Sequence, residues 1–155
     1  MPARPIRLLI VDDNRDAADS LALLLGLEGH EVRVAYAGRP AIEVAHEFKP
    51  EIAILDLGLP DLSGYDVARL LRQDPALARI ELIALTGWGQ EEHRRRALEA
   101  GFDHHITKPV DLEALERLLQ RPGRHEAGAV VHLQQQVLAL LRRHGLSPLA
   151  VVRNG

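Results

Sequence analysis

Cysteine is absent from this chain of 155 residues, which excludes a disulfide framework and any thiolate metal site. Aromatic residues make up only 3% of it, so a core has to be assembled from Leu, Val, Ile and Ala. No apolar run approaches the roughly 20 residues that span a bilayer. The segment from Met1 to Arg7 also lacks the long apolar stretch and small-residue cleavage site of a secretory signal. An excess of either charge is missing as well: 19 basic residues face 22 acidic ones, interspersed, for a net charge of −3. A nucleic-acid footprint needs a basic patch or stripe, and none is present. The expectation is a soluble, cytoplasmic protein with neither a nucleic-acid nor a membrane partner.

What is present is globular. The hydrophobic fraction is 46% and the charged fraction 26%, and the length suits one ordinary domain with a little to spare. From residue 6 to about residue 120, short apolar runs alternate with longer helical patterns. The runs are Ile6 to Val11, Val32 to Ala35, Ile52 to Leu55, Glu81 to Leu85 and the more polar Asp103 to Thr107. The first, third and fourth are nearly continuous in apolar character, as strands covered on both faces are. The second and fifth mix in polar residues, which suits the edges of a sheet.

Helical spacing fills the gaps over Asp16 to Glu28, Pro40 to Phe48, Gly64 to Gln73, Glu91 to Ala100 and Leu112 to Gln120. Gly29 and Gly101 mark C-terminal stops, and Asp111 an N-cap. Five strands alternating with five helices predict an α/β fold around a parallel sheet. Residues 1–121 are read as one domain. Residues 122–155 are read as a linker followed by an amphipathic helical tail, with Val130, Leu133, Val137, Leu140 and Leu141 on one stripe.

In open parallel sheets, ligands bind beyond the carboxyl ends of the strands. Here those ends carry Asp12-Asp13, Asp56, Thr86 and Lys108-Pro109. Each residue alone has a bland explanation: the aspartates as helix caps or turn formers, the lysine as a solvated charge. Jointly, three carboxylates on one rim repel one another unless something positive intervenes. A hard divalent cation with oxygen ligands, Mg²⁺ or Mn²⁺, is the economical answer. With Lys108 as a second positive charge and Thr86 as a hydroxyl donor, these are the parts of a phosphoryl-transfer site whose nucleophile is a carboxylate.

At this point the residues carry a resemblance. Leu9-Ile10-Val11-Asp12-Asp13-Asn14, Ile54 to Gly64 around Asp56, Ala84-Leu85-Thr86-Gly87 and Ile106-Thr107-Lys108-Pro109-Val110 resemble the receiver domains of two-component response regulators, including those of hybrid histidine kinases. The resemblance covers about residues 5–120. It implies a flavodoxin-like, doubly wound five-stranded parallel sheet in the order 2-1-3-4-5. Asp56 would be the phosphoacceptor, and Asp12 and Asp13 would hold Mg²⁺ together with Asp56 and the backbone carbonyl of Gly58. Thr86 would be the switch hydroxyl, Lys108 the phosphate's salt-bridge partner, and the Lys108-Pro109 bond cis. The phosphodonor would be a sensor histidine kinase or a histidine phosphotransfer domain, the readout a downstream protein partner. No DNA-binding output domain is expected, and the enzymatic character would be limited to self-phosphorylation and autodephosphorylation.

Two positions depart from the commonest pattern. His105 stands where the family usually has an aromatic switch residue, which adds a titratable ring. Trp88, the only tryptophan, follows Thr86 in a Gly87-Trp88-Gly89 loop, as a gate, part of a binding face or simply a cover over the rim. His104 and His105 point to opposite faces of a strand and do not suit one metal. Arg94-Arg95-Arg96 reads as a solvated helix face.

Rival readings fail on particular residues. An aspartyl-phosphate phosphatase wants a second carboxylate two residues after the nucleophile, and position 58 is glycine. A nucleotide-binding relative wants a glycine or hydroxyl loop after the first strand, and this one begins Asp12-Asp13. A receiver-shaped adaptor that works without phosphorylation stays open. A start at Met1 suits a free-standing protein. The tail stripe leaves three readings open: docking back on the domain, pairing with a second copy, or the stump of a longer protein; pairing is the one tested directly. Sedimentation or light scattering of the full chain should then give a dimer mass that falls to the monomer on deleting residues 122–155; a monomeric full chain sinks the pairing.

Overall fold

A computed structural model of the chain describes residues 5–87 and 91–120. Trp88 and the expected linker and tail over 122–155 lie outside the described residues. Five strands, β1 (Arg7–Val11), β2 (Glu31–Ala35), β3 (Ile52–Asp56), β4 (Glu81–Thr86) and β5 (His104–Thr107), alternate with five helices. The helices are α1 (Arg15–Leu27), α2 (Gly38–Phe48), α3 (Gly64–Gln73), α4 (Glu91–Ala100) and α5 (Leu112–Leu119). The strands form one parallel sheet in the order β2-β1-β3-β4-β5. That is the expected doubly wound, flavodoxin-like arrangement, with the two more polar strands at its edges.

Period-two alternation sorts the strand residues onto two faces. Leu8, Ile10, Ile52, Ile54, Ile83, Leu85 and Ile106 pack with Leu21, Leu24 and Leu25 of α1 and Leu112, Leu115 and Leu119 of α5. Leu9, Val11, Ala53, Leu55, Leu82 and Ala84 pack on the other side against α2, α3 and α4, through Ala41, Ala45, Val67, Leu71, Ala97 and Ala100. Being covered on both sides is why the central strands read as continuous apolar runs. Such a core tolerates the near absence of aromatics because branched aliphatic side chains fill both layers.

Helix starts decide where the rim loops go. The Asn14 side chain accepts from the Ala17 N–H at 3.0 Å and caps α1, so the helix begins at Arg15, one residue earlier than the apolar spacing implies. Asp12 and Asp13 are therefore not the caps of that helix. Ser63 and Asp111 cap α3 and α5 in the same way. For α2 no such local side chain exists at Ala37. Its first N–H groups are instead taken by Asp61, from the β3–α3 loop: Gly38 N–H donates to Oδ1 at 2.7 Å and Arg39 N–H to Oδ2 at 2.8 Å. Those two bonds, Arg39 first, hold the Asp61 carboxyl down at about 2.

At the amino ends of the strands, Arg72 of α3 ties α4 and β5 to the sheet. Its guanidinium donates to the carbonyls of Ala78, Ile80 and Gly101 and to Asp103 Oδ2, which also accepts from the Leu82 N–H at 2.8 Å. This clamp holds a half-buried guanidinium with its hydrogen bonds satisfied.

A less satisfied pair lies between α1 and α5. Glu116 is 3% exposed, and its Oε2 has no hydrogen-bond partner among the described residues, nor do the carboxylate oxygens of Glu28. Burial first, and the nearby Glu28 charge second, push the Glu116 carboxyl up to about 7. A folded-state value above the unfolded one means that the native protein holds this proton more tightly. The stabilisation is full below about pH 4.5 and is lost as pH rises through 7. Glu116→Gln should therefore be more stable than the wild type at pH 8, by about 1–3 kcal/mol, with no gain at pH 4. Urea unfolding at both pH values measures it, and an equal effect at both would refute the titration.

Candidate functional site

The carboxyl ends of the strands converge as the sheet order requires. Asp56 closes β3, Thr86 closes β4, Asp12 follows β1 directly, and Lys108 follows β5. One carboxylate oxygen from each of Asp12, Asp13 and Asp56 lies within 4.8 Å of the others, the one such cluster among the described residues. Lys108 Nζ donates to Asp12 Oδ2 and Asp56 Oδ2, each at 3.2 Å. Asp12 is buried, Asp56 half-buried and Asp13 exposed, so one member of the trio faces solvent.

The backbone fixes these directions. Lys108 N–H bonds the Thr86 carbonyl, carrying the β4–β5 ladder one step past Thr107. Lys108-Pro109 is cis, as expected. Asp56 Oδ1 accepts from the Gly58 N–H at 3.1 Å, which turns the loop back over the carboxylate. Gly64, six residues on, has to be glycine: a Cβ there would stand 2.5 Å from the Asp56 carbonyl oxygen and 2.7 Å from Leu57 Cα. At Gly58 nothing lies within 4 Å of where a Cβ would be, so that turn is open on its outer side.

The charges at the rim are unbalanced. Burial raises the Asp12 carboxyl to about 6 against the Asn14 N–H, which favours the anion, and the Asp56 charge adds to the rise. Lys108 feels the opposite balance. Burial works to lower its ammonium, yet Asp56 and Asp12 outweigh that and hold it above its usual range. One ammonium among three carboxylates leaves a net negative pocket of oxygen donors. That donor set, one member of it solvent-facing, fits a hard divalent cation that keeps part of its water shell. Asp12, Asp13 and Asp56 are the side chains able to hold it.

Thr86 is 3% exposed, and its Oγ1 lies 2.7 Å from His105 Nε2. The strand ladder aligns Ala84 with His105, which puts Thr86 and His105 on one face of the sheet. Among the positions read from sequence, the structure thus brings together Asp12, Asp13, Asp56 and Lys108, with Thr86 and His105 joined beside them. Arg94, Arg95 and Arg96 are exposed as expected, although the Arg96 guanidinium also lies over the Tyr65 ring, 4.5 Å from its centre. Sequence reasoning missed Asp61 as the cap of α2. It also missed the Thr86–His105 bond, whose only signal was the histidine at an unusual place. No helix among the described residues is long and apolar enough to cross a membrane.

Comparison with known proteins points one way. The profile of the response regulator receiver domain matches residues 8–120. An uncharacterised 14.6 kDa protein of Leptolyngbya boryana is 35% identical over 114 residues, 74% of this chain and 87% of that protein. The master transcriptional regulator RpaA of Synechocystis is 33% identical over 122 residues, 76% of this chain and 51% of RpaA. The chain thus spans about half the length of that DNA-binding relative. Among solved structures, a response regulator from Chloroflexus aurantiacus has a TM-score of 0.68 at 29% identity, covering 88% of this chain and 99% of that one. The receiver domain of yeast Ssk1, solved with the histidine phosphotransfer protein Ypd1, has a TM-score of 0.70 at 27% identity, covering 77% and 90%.

If the raised Asp12 governs cation entry, binding must displace its proton in acid. The apparent Mg²⁺ affinity should fall below pH 6, approaching about tenfold per pH unit. Calorimetry in buffers of differing ionisation enthalpy counts the proton released, and an affinity constant from pH 7 to pH 5 would contradict the assignment.

Proposed function

Since the chain belongs to the response regulator receiver family, we propose that it accepts a phosphoryl group on Asp56 and thereby switches a surface that binds a downstream protein. The observation that carries this reading is the position of Lys108 Nζ, 3.2 Å from both Asp12 and Asp56, beside three carboxylates clustered within 4.8 Å. The donor would be the phosphohistidine of a sensor histidine kinase or a histidine phosphotransfer protein. The Ssk1 receiver, solved with such a phosphotransfer protein, supports that class of partner.

An Asp56 oxygen attacks phosphorus in line, the phosphorus–nitrogen bond to the donor imidazole breaks, and the imidazole leaves with the electron pair and takes up a proton. Asp56 needs no general base, because a carboxylate is already a nucleophile. A divalent cation held by Asp12, Asp13, Asp56 and the Gly58 carbonyl would offset the repulsion between this anion and the incoming phosphoryl group. Lys108 is the mobile charge. Its ammonium can leave Asp12 and follow the new negative oxygens, since the fixed cost of burying it is already met by carboxylates on either side. The Thr86 hydroxyl closes on another equatorial oxygen. Buried groups that change partner in this way couple the rim to β4, α4 and β5, a two-state element biased by charge. Attack of water on phosphorus would later return the carboxylate and release inorganic phosphate.

Intact-mass measurement after incubation with Mg²⁺ and acetyl phosphate tests the reading. The wild type should gain one phosphoryl group; Asp56→Asn and chelator-treated wild type should gain none, and Lys108→Ala should retain phosphorylation while losing the switch in partner binding. No gain by the wild type, together with no Mg²⁺ binding, would favour a receiver-shaped adaptor that works without phosphorylation.

A further inference from the structure

A threonine hydroxyl has one proton to give and two lone pairs to receive with. In this protein Thr86 is buried, and His105 Nε2 already lies 2.7 Å from its Oγ1. The bond can be made either way: Thr86 donating to a bare Nε2, or Nε2–H donating to Thr86. If a phosphoryl oxygen claims the hydroxyl proton, only the second arrangement survives. Thr86 then stands as a pure acceptor towards the ring, and His105 must carry hydrogen on Nε2. The neutral ring loses one of its two ways to bond, whereas the imidazolium loses nothing and gains a nearby anion.

We propose that His105 is the positioning residue of the Thr86 hydroxyl, and that its protonation and the phosphorylation of Asp56 favour one another through the single Thr86 proton. The ligand class involved is the proton itself, so the phosphorylated population would report acidity near the pKa of a histidine. The proposal rests on Asp56 being the phosphoacceptor. An aliphatic or phenyl ring at position 105 would hold Thr86 by packing alone and would carry no such linkage.

The surroundings of the ring leave this coupling intact. His105 borders a cavity of about 250 Å³ shared with Arg94 and Leu98 of α4 and with Asp103 and His104 at the entry to β5. Arg94 opposes a second positive charge there, and Asp103 favours one but is already paired with Arg72. On the other side Lys108 is held by Asp12 and Asp56. Arg94, Asp103 and His104 stand in both states and cancel in the difference between them. What changes is the charge on Asp56 and the direction of the Thr86 hydroxyl, and both act in the same sense.

The test follows the His105 ring by NMR titration of the full chain with Mg²⁺, with and without excess acetyl phosphate, while intact mass records the phosphorylated fraction in the same samples. Phosphorylation should raise the His105 midpoint by about one pH unit. Reciprocally, the ratio of phosphate lifetimes in wild type and His105→Asn should rise as pH falls from 8 to 5.5, because asparagine bonds Thr86 but does not titrate. Thr86→Val should shrink the shift in midpoint to the part that the added charge on Asp56 supplies, and an undiminished shift would overturn the role of the Thr86 proton. A wild type that gains the phosphoryl group with an unmoved His105 midpoint, or a lifetime ratio flat in pH, would overturn the proposal and leave the phosphoacceptor reading standing. Absence of any mass gain would overturn both.

Discussion

Three aspartates on one sheet rim repel one another, and a single lysine ammonium lies between two of them. The contacts of Lys108 with Asp12 and Asp56, 3.2 Å each, are the point on which the rim is balanced. The lysine joins the ends of β1, β3 and β5. Its single charge faces three carboxylates; burial raises the Asp12 carboxyl, and the Asp56 charge adds to that rise. A centre left short of positive charge by the fold is one that a cation can complete.

The rest of the scaffold keeps that rim in place with ordinary means. Asn14 starts α1 just beyond the acidic pair, and Gly64 lets α3 begin against the backbone of Asp56 and Leu57. Asp61 reaches across to start α2, so the loop that follows Asp56 and the helix beside it are held by one carboxylate. At the far end Arg72 fastens the strands and α4 by their carbonyls. Thr86 of β4 and His105 of β5 meet beside this rim. The unsatisfied Glu28–Glu116 pair sits away from the rim and acts on stability with pH rather than on the chemistry.

Much of this was legible in the order of residues. A period of two in the apolar runs, a helical period between them and the polar residue at each strand end are local signals, and each strand end is set by where its own run stops. Those signals determined the α/β class, the edge positions of β2 and β5, and the identity of Asp12, Asp13, Asp56, Thr86 and Lys108 as the groups of one rim. Parallel strands point the same way, so residues at their ends must meet whatever the details of packing.

Which atoms touch is another matter, and only the tertiary structure decided it. Asp61 caps a helix that begins 23 residues before it, and Thr86 finds the ring of a histidine 19 residues away. Glu116 reads as an ordinary helix-surface carboxylate until burial beside Glu28 raises it to about 7. Lys108 could as well have been a solvated charge; 96 residues separate it from Asp12. Contacts of this kind depend on register, helix rotation and depth of burial. These are set jointly by both layers of the core and have no counterpart in the spacing of residues along the chain.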